Sequence, residues 1–224
     1  MPSYPIANID LTALKHNLSR VKQHAPNSRV MSVIKANAYG HGAIEVANAL
    51  GDSDAFAVAR LDEALRLRES GITKAIVILE GVNSEVDLHK AAEQSLSLVF
   101  HHDSQINLLM TTQLETPLSF CWLMVETGMH RLGLAMEKCE GALEQLSTSP
   151  NILDQVGLMS HFANADTIAD PRNTQQLTHL KQLVSQDNIP TSMANSAAIL
   201  SYPASHGDWL RPGLMLYGIS PFED

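Results

Sequence analysis

The sequence predicts an α/β fold, a (β/α)8 TIM-type barrel with an extra N-terminal helix. Three observations carry this expectation. Short apolar runs alternate with amphipathic stretches along nearly the whole chain, and strands separated by helices imply βαβ units and a parallel sheet. Seven or eight such units favour closure into a barrel over an open sheet. The length of 224 residues suits one α/β barrel, so residues 1–224 are read as a single domain.

The elements follow in order. Leu11–His24 is an amphipathic helix placed before the first barrel strand. Arg29–Ile34 is an apolar strand, and Ala43–Leu50 a helix. Ala55–Val58 is a strand; Leu61–Ser70 follows as a helix with Leu61, Ala64, Leu65 and Leu67 near one stripe. Ala75–Leu79 is a buried strand and Glu85–Gln94 a helix. Leu96–Phe100 and Ser104–Thr111 form the next strand and helix. Leu118–Val125 is expected to be the longest strand, with Lys138–Leu146 as its helix. Val156–His161 and Thr174–Ser185 continue the alternation. Thr191–Ala194 is a short strand before a helical turn at Ser196–Ser201, and Trp209–Arg211 supplies the last strand.

Composition narrows the function classes. Hydrophobic residues make up 45% and charged residues 17%, a globular rather than disordered balance. The net charge of −9 comes with no basic stripe, which argues against nucleic-acid binding. No apolar stretch approaches the roughly 20 residues of a membrane helix, and Met1–Pro5 lacks the basic start and apolar run of a signal peptide. Cys121 and Cys139 sit in no CxxC pair, so both are expected to be reduced, inert thiols of a cytoplasmic protein. Ten histidines are present without HExxH or similar spacing, so no metal site is expected. No repeat or linker interrupts the chain, and Ser220–Asp224 reads as a domain boundary.

Five strings carry chemistry. In Val33-Ile-Lys-Ala-Asn-Ala-Tyr-Gly-His-Gly42, Lys35 ends an apolar strand. The C-terminal strand ends of a barrel face the active site, where desolvation lowers a lysine's pKa and lets it form a Schiff base. Taken alone, a lysine there more often snorkels to solvent. In Glu126-Thr-Gly-Met-His-Arg-Leu-Gly133, the forked guanidinium of Arg131 suits paired oxygen acceptors. In Ser160-His-Phe-Ala-Asn-Ala-Asp166, His161 offers a flat ring with two distinct nitrogens. In Met193-Ala-Asn-Ser-Ala-Ala198, Asn195 and Ser196 open a helical stretch, and the Ser196 hydroxyl is expected to cap it. Helix N-termini near the last strands of a barrel also favour phosphate. In Trp209-Leu-Arg-Pro-Gly-Leu-Met-Leu-Tyr-Gly218, the backbone N–H groups of Gly213 and Leu214 follow a strand and can reach phosphate. Arg211 by itself would be an ordinary surface ion pair.

Taken together, in this order and spacing from Val33 to Gly218, the five strings closely resemble those of the alanine racemase family. The resemblance implies pyridoxal 5'-phosphate (PLP) as cofactor, bound by Lys35 through a Schiff base. It makes Lys35 one of two catalytic bases, acting on the α-proton of D-alanine, with Arg131 and His161 as further catalytic groups. Tyr39, Ser196, Gly213 and Leu214, with Asn195, would hold the phosphate. Arg131 would meet the phenolic oxygen and the substrate carboxylate, and His161 would stack on the pyridine ring. Arg211 would face the pyridine nitrogen; a guanidinium cannot accept a proton, so that nitrogen stays neutral. The implied role is racemisation of alanine, supplying D-alanine for peptidoglycan.

Two positions depart from the family pattern. Glu126 stands where an aspartate is usual. Met124 stands where many members carry a lysine, often carbamylated, that orients the arginine, so Arg131 must take another partner or be held less firmly. The family's second base is a tyrosine from a C-terminal β-rich domain of the partner subunit in a homodimer. That domain is not expected in this chain, so alone it is expected to bind PLP and racemise poorly. The competing readings are a non-catalytic PLP-binding barrel and a broader amino-acid racemase. A related aldolase or dehydratase would need metal ligands, and a barrel that only binds protein partners leaves the lysine and arginine strings unexplained.

Overall fold

A computed structural model describes residues 6–184 and 189–222. Met1–Pro5, the final Ser185 of the expected Thr174–Ser185 helix, and the end of the chain at Glu223–Asp224 lie outside the described residues. Eight parallel strands close into a barrel in sequence order. They are β1 (Arg29–Val33), β2 (Ala55–Val58), β3 (Ala75–Ile78), β4 (Ser97–Phe100), β5 (Cys121–Met124), β6 (Val156–Met159), β7 (Thr191–Ser192) and β8 (Trp209–Leu210). Closure comes from β1 pairing with β8, Arg29 opposite Trp209 and Val30 opposite Leu210.

The helices are α1 (Leu11–His24), α2 (Ala43–Ala49), α3 (Leu61–Glu69), α4 (Glu85–Glu93), α5 (Asp103–Thr111), α6 (Met136–Ser147), α7 (Pro171–Leu183) and α8 (Ser196–Ser201). A 3-10 turn, Leu214–Tyr217, follows β8. α1 starts where the Asp10 carboxylate accepts from the N–H groups of Thr12 and Ala13, a side-chain cap. It buries Leu14, Leu18 and Val21, one stripe of an amphipathic helix. The Asn17 amide ties it to the Leu216 carbonyl at 2.9 Å. α7 starts at Asp170 with Pro171 in its first turn, where the missing N–H costs nothing. Among the described residues no helix is long and apolar enough to cross a membrane.

Strand alternation sorts the core into two layers. Met31, Val33, Ala55, Ala57, Val77, Val99, Trp122, Met124 and Met159 fill the barrel lumen. The alternate residues, such as Val30, Phe56, Ile76, Leu98, Leu123 and Leu158, face the surrounding helices. The Trp122 indole is the largest plug, packed edge-on against Phe120 and Trp209. Gly157 makes room for it, since a Cβ there would lie 2.6 Å from the Trp122 ring.

Apart from β2, the observed strands are shorter than expected at their ends, and one expectation is overturned. Leu118–Val125 is not the longest strand. Its ladder is Cys121–Met124, while the five-residue β1 is longer. Leu118 and Val125 make single bridges to Ile152 and Leu134 instead. Both are buried apolar residues, so hydropathy extends the run beyond the barrel ladder. Both cysteines are free and buried. Burial pushes the Cys121 thiol up to about 12 and the Cys139 thiol up to about 11, which keeps them un-ionised and unreactive.

Candidate functional site

The loops after the C-terminal strand ends enclose a cavity of about 530 Å³. Lys35 and Tyr39 enter it after β1, Met124 from the end of β5, and Arg131 from the loop beyond. His161 follows β6; Asn195 and Ser196 follow β7; Arg211, Gly213 and Leu214 follow β8. All nine residues singled out in the sequence therefore line one cavity. The sequence reading missed Glu80 and the apolar walls Val33, Leu79 and Leu132. Those walls carry no local signal beyond hydrophobicity.

Lys35 opens an unusual backbone segment. Ala36, Asn37, Ala38 and Tyr39 all have φ of 52–54°, making a left-handed helical turn of four consecutive non-glycine residues. Such residues each cost roughly 1–2 kcal/mol over the right-handed form, so surrounding bonds must hold the turn. The N–H of Gly40 donates to Ala36 O, that of His41 to Ala38 O, and that of Gly42 to Asn37 O. The Asn37 side chain accepts from the Ala43 N–H at 2.9 Å. The turn aims Tyr39 against Tyr217, ring centroids 4.9 Å apart, and Tyr217 donates to the Val33 carbonyl at 3.0 Å. Burial raises the pKa of both phenols.

Arg211 is only 5% exposed, which rules out the surface ion pair. Its Nη1 donates to Ser192 Oγ at 2.6 Å, and its Nη2 to the Ser160 carbonyl and to His161 Nδ1, the latter at 3.1 Å. Among the described residues no carboxylate lies within 4.0 Å of it. Burial, followed by the Arg131 charge, pulls its pKa down to about 9, still cationic near neutrality. Because Nδ1 accepts from Arg211, the neutral His161 ring carries its hydrogen on Nε2. Burial first, then the charges of Arg211, Arg131 and Lys35, push His161 down to about 3, so it stays neutral.

Buried hydroxyls and an amide support His161 and the Arg131 loop from behind. Thr127 and Ser160 share a bond of 2.7 Å. The Gln176 amide donates to Thr127 Oγ1 and the His161 carbonyl and accepts from the Ala163 N–H. Gly133 is required where the loop turns back: its φ is 130°, and a Cβ would lie 2.6 Å from the Glu126 nitrogen. Among the described residues Arg131 itself forms no hydrogen bond or ion pair; Met124, beside it in the cavity wall, offers it no charge.

The expected roles of Asn195 and Ser196 are exchanged in part. Asn195, not Ser196, caps α8, its side chain accepting from the Ala198 N–H at 3.1 Å. Ser196 Oγ instead accepts from the N–H groups of Gly213 at 3.0 Å and Met215 at 3.3 Å. Pairs across β7 and β8 are invisible to a local capping rule. With two N–H groups donating to it, the Ser196 hydroxyl has its own proton left to donate. The N–H of Gly213 is occupied by this bond, so it is not free for a phosphate as expected. Gly213 also keeps its place beside Tyr39, because a Cβ there would meet the Tyr39 oxygen at 2.8 Å.

The donor set suits PLP on two grounds. Lys35, Arg131 and Arg211 converge without a neutralising carboxylate on Arg211, which favours a polyanionic ligand. A donating Ser196 hydroxyl at one side of an apolar-walled cavity fits a phosphate ester joined to a flat ring.

Comparisons with known proteins agree with the fold. The family model for the alanine racemase N-terminal domain matches residues 9–221. The alanine racemase of Aeromonas hydrophila is 43% identical over 217 residues, 97% of this chain and 60% of that protein. That of Nitrosococcus oceani is 45% identical over 98% of this chain and 61% of its own length. The crystal structure of the biosynthetic alanine racemase from Pseudomonas aeruginosa superposes with a TM-score of 0.92 at 41% identity, covering 96% of this chain and 60% of that one. The chain thus spans about 60% of the length of the curated relatives it matches. Over nearly all of its described residues, this chain belongs to the alanine racemase family and corresponds to its N-terminal domain.

Proposed function

We propose that this chain is the PLP-binding barrel domain of an alanine racemase, holding the cofactor through Lys35. The observation that carries the reading is the convergence on one cavity of Lys35, Arg131, the Ser196 hydroxyl and the buried Arg211, which among the described residues has no carboxylate within 4.0 Å. Tyr39 and Ser196 would hold the phosphate, with Asn195 fixing the start of α8, and the loop at Gly213–Leu214 would close over it. When bound, PLP supplies an electron-withdrawing ring that loosens the bonds at an amino acid's α-carbon.

The chain's own groups then divide the work. Lys35 Nζ takes or returns the proton at the α-carbon on its face of the substrate. Arg131 receives the carboxylate of alanine through its paired N–H donors. Among the described residues no group pairs with it, which leaves those donors to the ligand and its orientation to depend on that ligand. Arg211 only donates, so it would hold the cofactor's ring nitrogen as an acceptor without protonating it. His161, neutral and locked by Arg211, offers an N–H at Nε2 and a flat face. Full racemisation needs a base on the opposite face. Among the described tyrosines, Tyr217 is bound to Val33 and Tyr202 pairs with Thr174. We place the activity in the cytoplasm, supplying D-alanine for peptidoglycan, a reading supported by the reduced cysteines and the family.

The test follows the α-proton signal of D-alanine by NMR in heavy water, with PLP saturating and Lys35→Ala as control. Lys35-dependent exchange with D configuration retained supports one working base. Exchange with L-alanine formed supports a complete racemase. Bound PLP without exchange would leave a cofactor-binding barrel and remove the catalytic reading.

A further inference from the structure

Glu63 lies on α3, 27 residues from the Lys35 turn, and outside the cavity wall. Its two carboxylate oxygens are divided between two elements. Oε1 accepts from the N–H of Ala36 at 2.5 Å. Oε2 accepts from the N–H groups of Ala59 at 2.8 Å and Arg60 at 3.2 Å. Ala36 directly follows Lys35 and is the first left-handed residue of the turn. Its N–H lies in the first turn of a helix, where no earlier carbonyl of that helix can reach it. Arg60 is the N-cap of α3, Ala59 the residue before it, and Glu63 reaches back to both from the third helical position. One carboxylate therefore caps two helical starts of opposite hand, and joins the strand ends of β1 and β2.

We infer that Glu63 is a positioning residue, holding the left-handed turn so that Lys35 and Tyr39 face the cavity together. The inference rests on the reading of Lys35 as the PLP lysine. All three partners are donors, so the clamp needs an acceptor at both ends. Glutamine keeps the shape but turns one oxygen into an N–H2 donor, facing an N–H donor. Either amide orientation leaves one helical start uncapped. Aspartate keeps the charge but draws it back by one methylene. Released, the turn keeps the bonds at its far end, to Gly40, Gly42 and Ala43, but its start, next to Lys35, is left uncapped with residues in a disfavoured backbone region. Lys35 and Tyr39 then sample directions away from the cavity. The rest of the phosphate side, Ser196 on α8 and the segment after β8, stays in place.

The two parts separate in one experiment. PLP is added to the cofactor-free chain, and its attachment to Lys35 is followed by visible absorbance, then trapped with borohydride and located by peptide mass. In the attachment, Lys35 Nζ bonds to the aldehyde carbon and the aldehyde oxygen leaves as water. The limiting rate at saturating PLP reports the lysine's placement; the PLP concentration at half-saturation reports the phosphate side. Glu63→Gln is expected to lower the limiting rate roughly tenfold or more, as for a misplaced reacting group, and, because Tyr39 moves with the turn, to raise half-saturation by up to about tenfold, as for the loss of that one phosphate contact. Glu85→Gln, a surface carboxylate beside His89, is the control. Amide exchange at Ala36 in the cofactor-free chain is a second readout and is expected to quicken in Glu63→Gln, with the thermal midpoint little changed. Glu63→Asp is read the same way should Glu63→Gln fail to fold. Attachment to Lys35 at an unaltered limiting rate in the Glu63 variants overturns this inference alone. Absence of attachment to Lys35 in the unaltered chain overturns the cofactor reading and this inference with it.

Discussion

Lowering the pH should destabilise the cofactor-free chain through His161 in particular. Its ring is neutral in the fold, pushed down to about 3 by burial and by the charges of Arg211, Arg131 and Lys35, against about 6.5 when unfolded. Between those values the unfolded chain binds a proton that the fold refuses. Stability is therefore fully present above about pH 6.5 and falls as the pH is lowered through the window, down to about pH 3. At about pH 4.5 the loss has a ceiling of ~2.7 kcal/mol, about 1.4 kcal/mol for each pH unit below 6.5. His161 is only half-buried, and solvent screening with local relaxation reduces this to about 1–2 kcal/mol. The assay is urea unfolding of the unaltered chain and of His161→Gln at about pH 7.5 and 4.5, compared by extrapolated stability. Glutamine keeps an acceptor for Arg211 and does not titrate. Carboxylates such as Asp170, held low mainly by Arg172, lose stability on acidification in both proteins and cancel in the difference. The unaltered chain should lose about 1–2 kcal/mol more than the variant on acidification. Equal losses, within about 0.3 kcal/mol, would refute the reasoning, because His161 would then be free to charge inside the fold.

Ser196→Ala removes the acceptor of two N–H groups, the buried one of Gly213 and the partly buried one of Met215, and should lower unfolding stability by about 1–3 kcal/mol. The same variant should weaken PLP binding by roughly tenfold, read by titration of the visible absorbance. Gly157→Ala drives a methyl to within 2.6 Å of the Trp122 ring and should cost about 1–3 kcal/mol, seen as a lower thermal midpoint with PLP attachment still possible in the folded fraction. Gly213→Ala pushes on the Tyr39 oxygen, 2.8 Å from the new Cβ; it should weaken PLP binding about tenfold while changing stability by less than about 1 kcal/mol. A Lys35→Ala chain should retain fold and stability yet show no borohydride-trapped PLP.

Much of this protein was legible along the chain, because its strands are short apolar runs separated by helices with their own stripes and caps. The Ala55–Val58 strand and the Leu11–His24 and Ser196–Ser201 helices match expectation at both ends. Hydropathy is a local property, and parallel strands buried on both faces write it plainly. The nine candidate residues were read from strings at or beyond the ends of β1, β5, β6, β7 and β8, and all nine line one cavity, because strand ends and the loops after them gather on one side of a barrel.

What the sequence could not determine depends on groups that meet only across the barrel. A local rule gave the cap of α8 to Ser196, but the hydroxyl turns to N–H groups beyond β8, and Asn195 takes the cap. Hydropathy carried the fifth strand through Leu118 and Val125, whose burial comes from packing outside the ladder. No propensity predicts four left-handed residues in Ala36–Tyr39, two of them alanines with nothing to favour that conformation. Tertiary structure decides it, through bonds such as those of Glu63, from a helix 27 residues away. The carboxylate-free environment of Arg211 is likewise a fact of packing. Sequence determines which chemistry each residue can offer; which partner each one meets is decided when distant strand ends are brought to one side of a closed sheet.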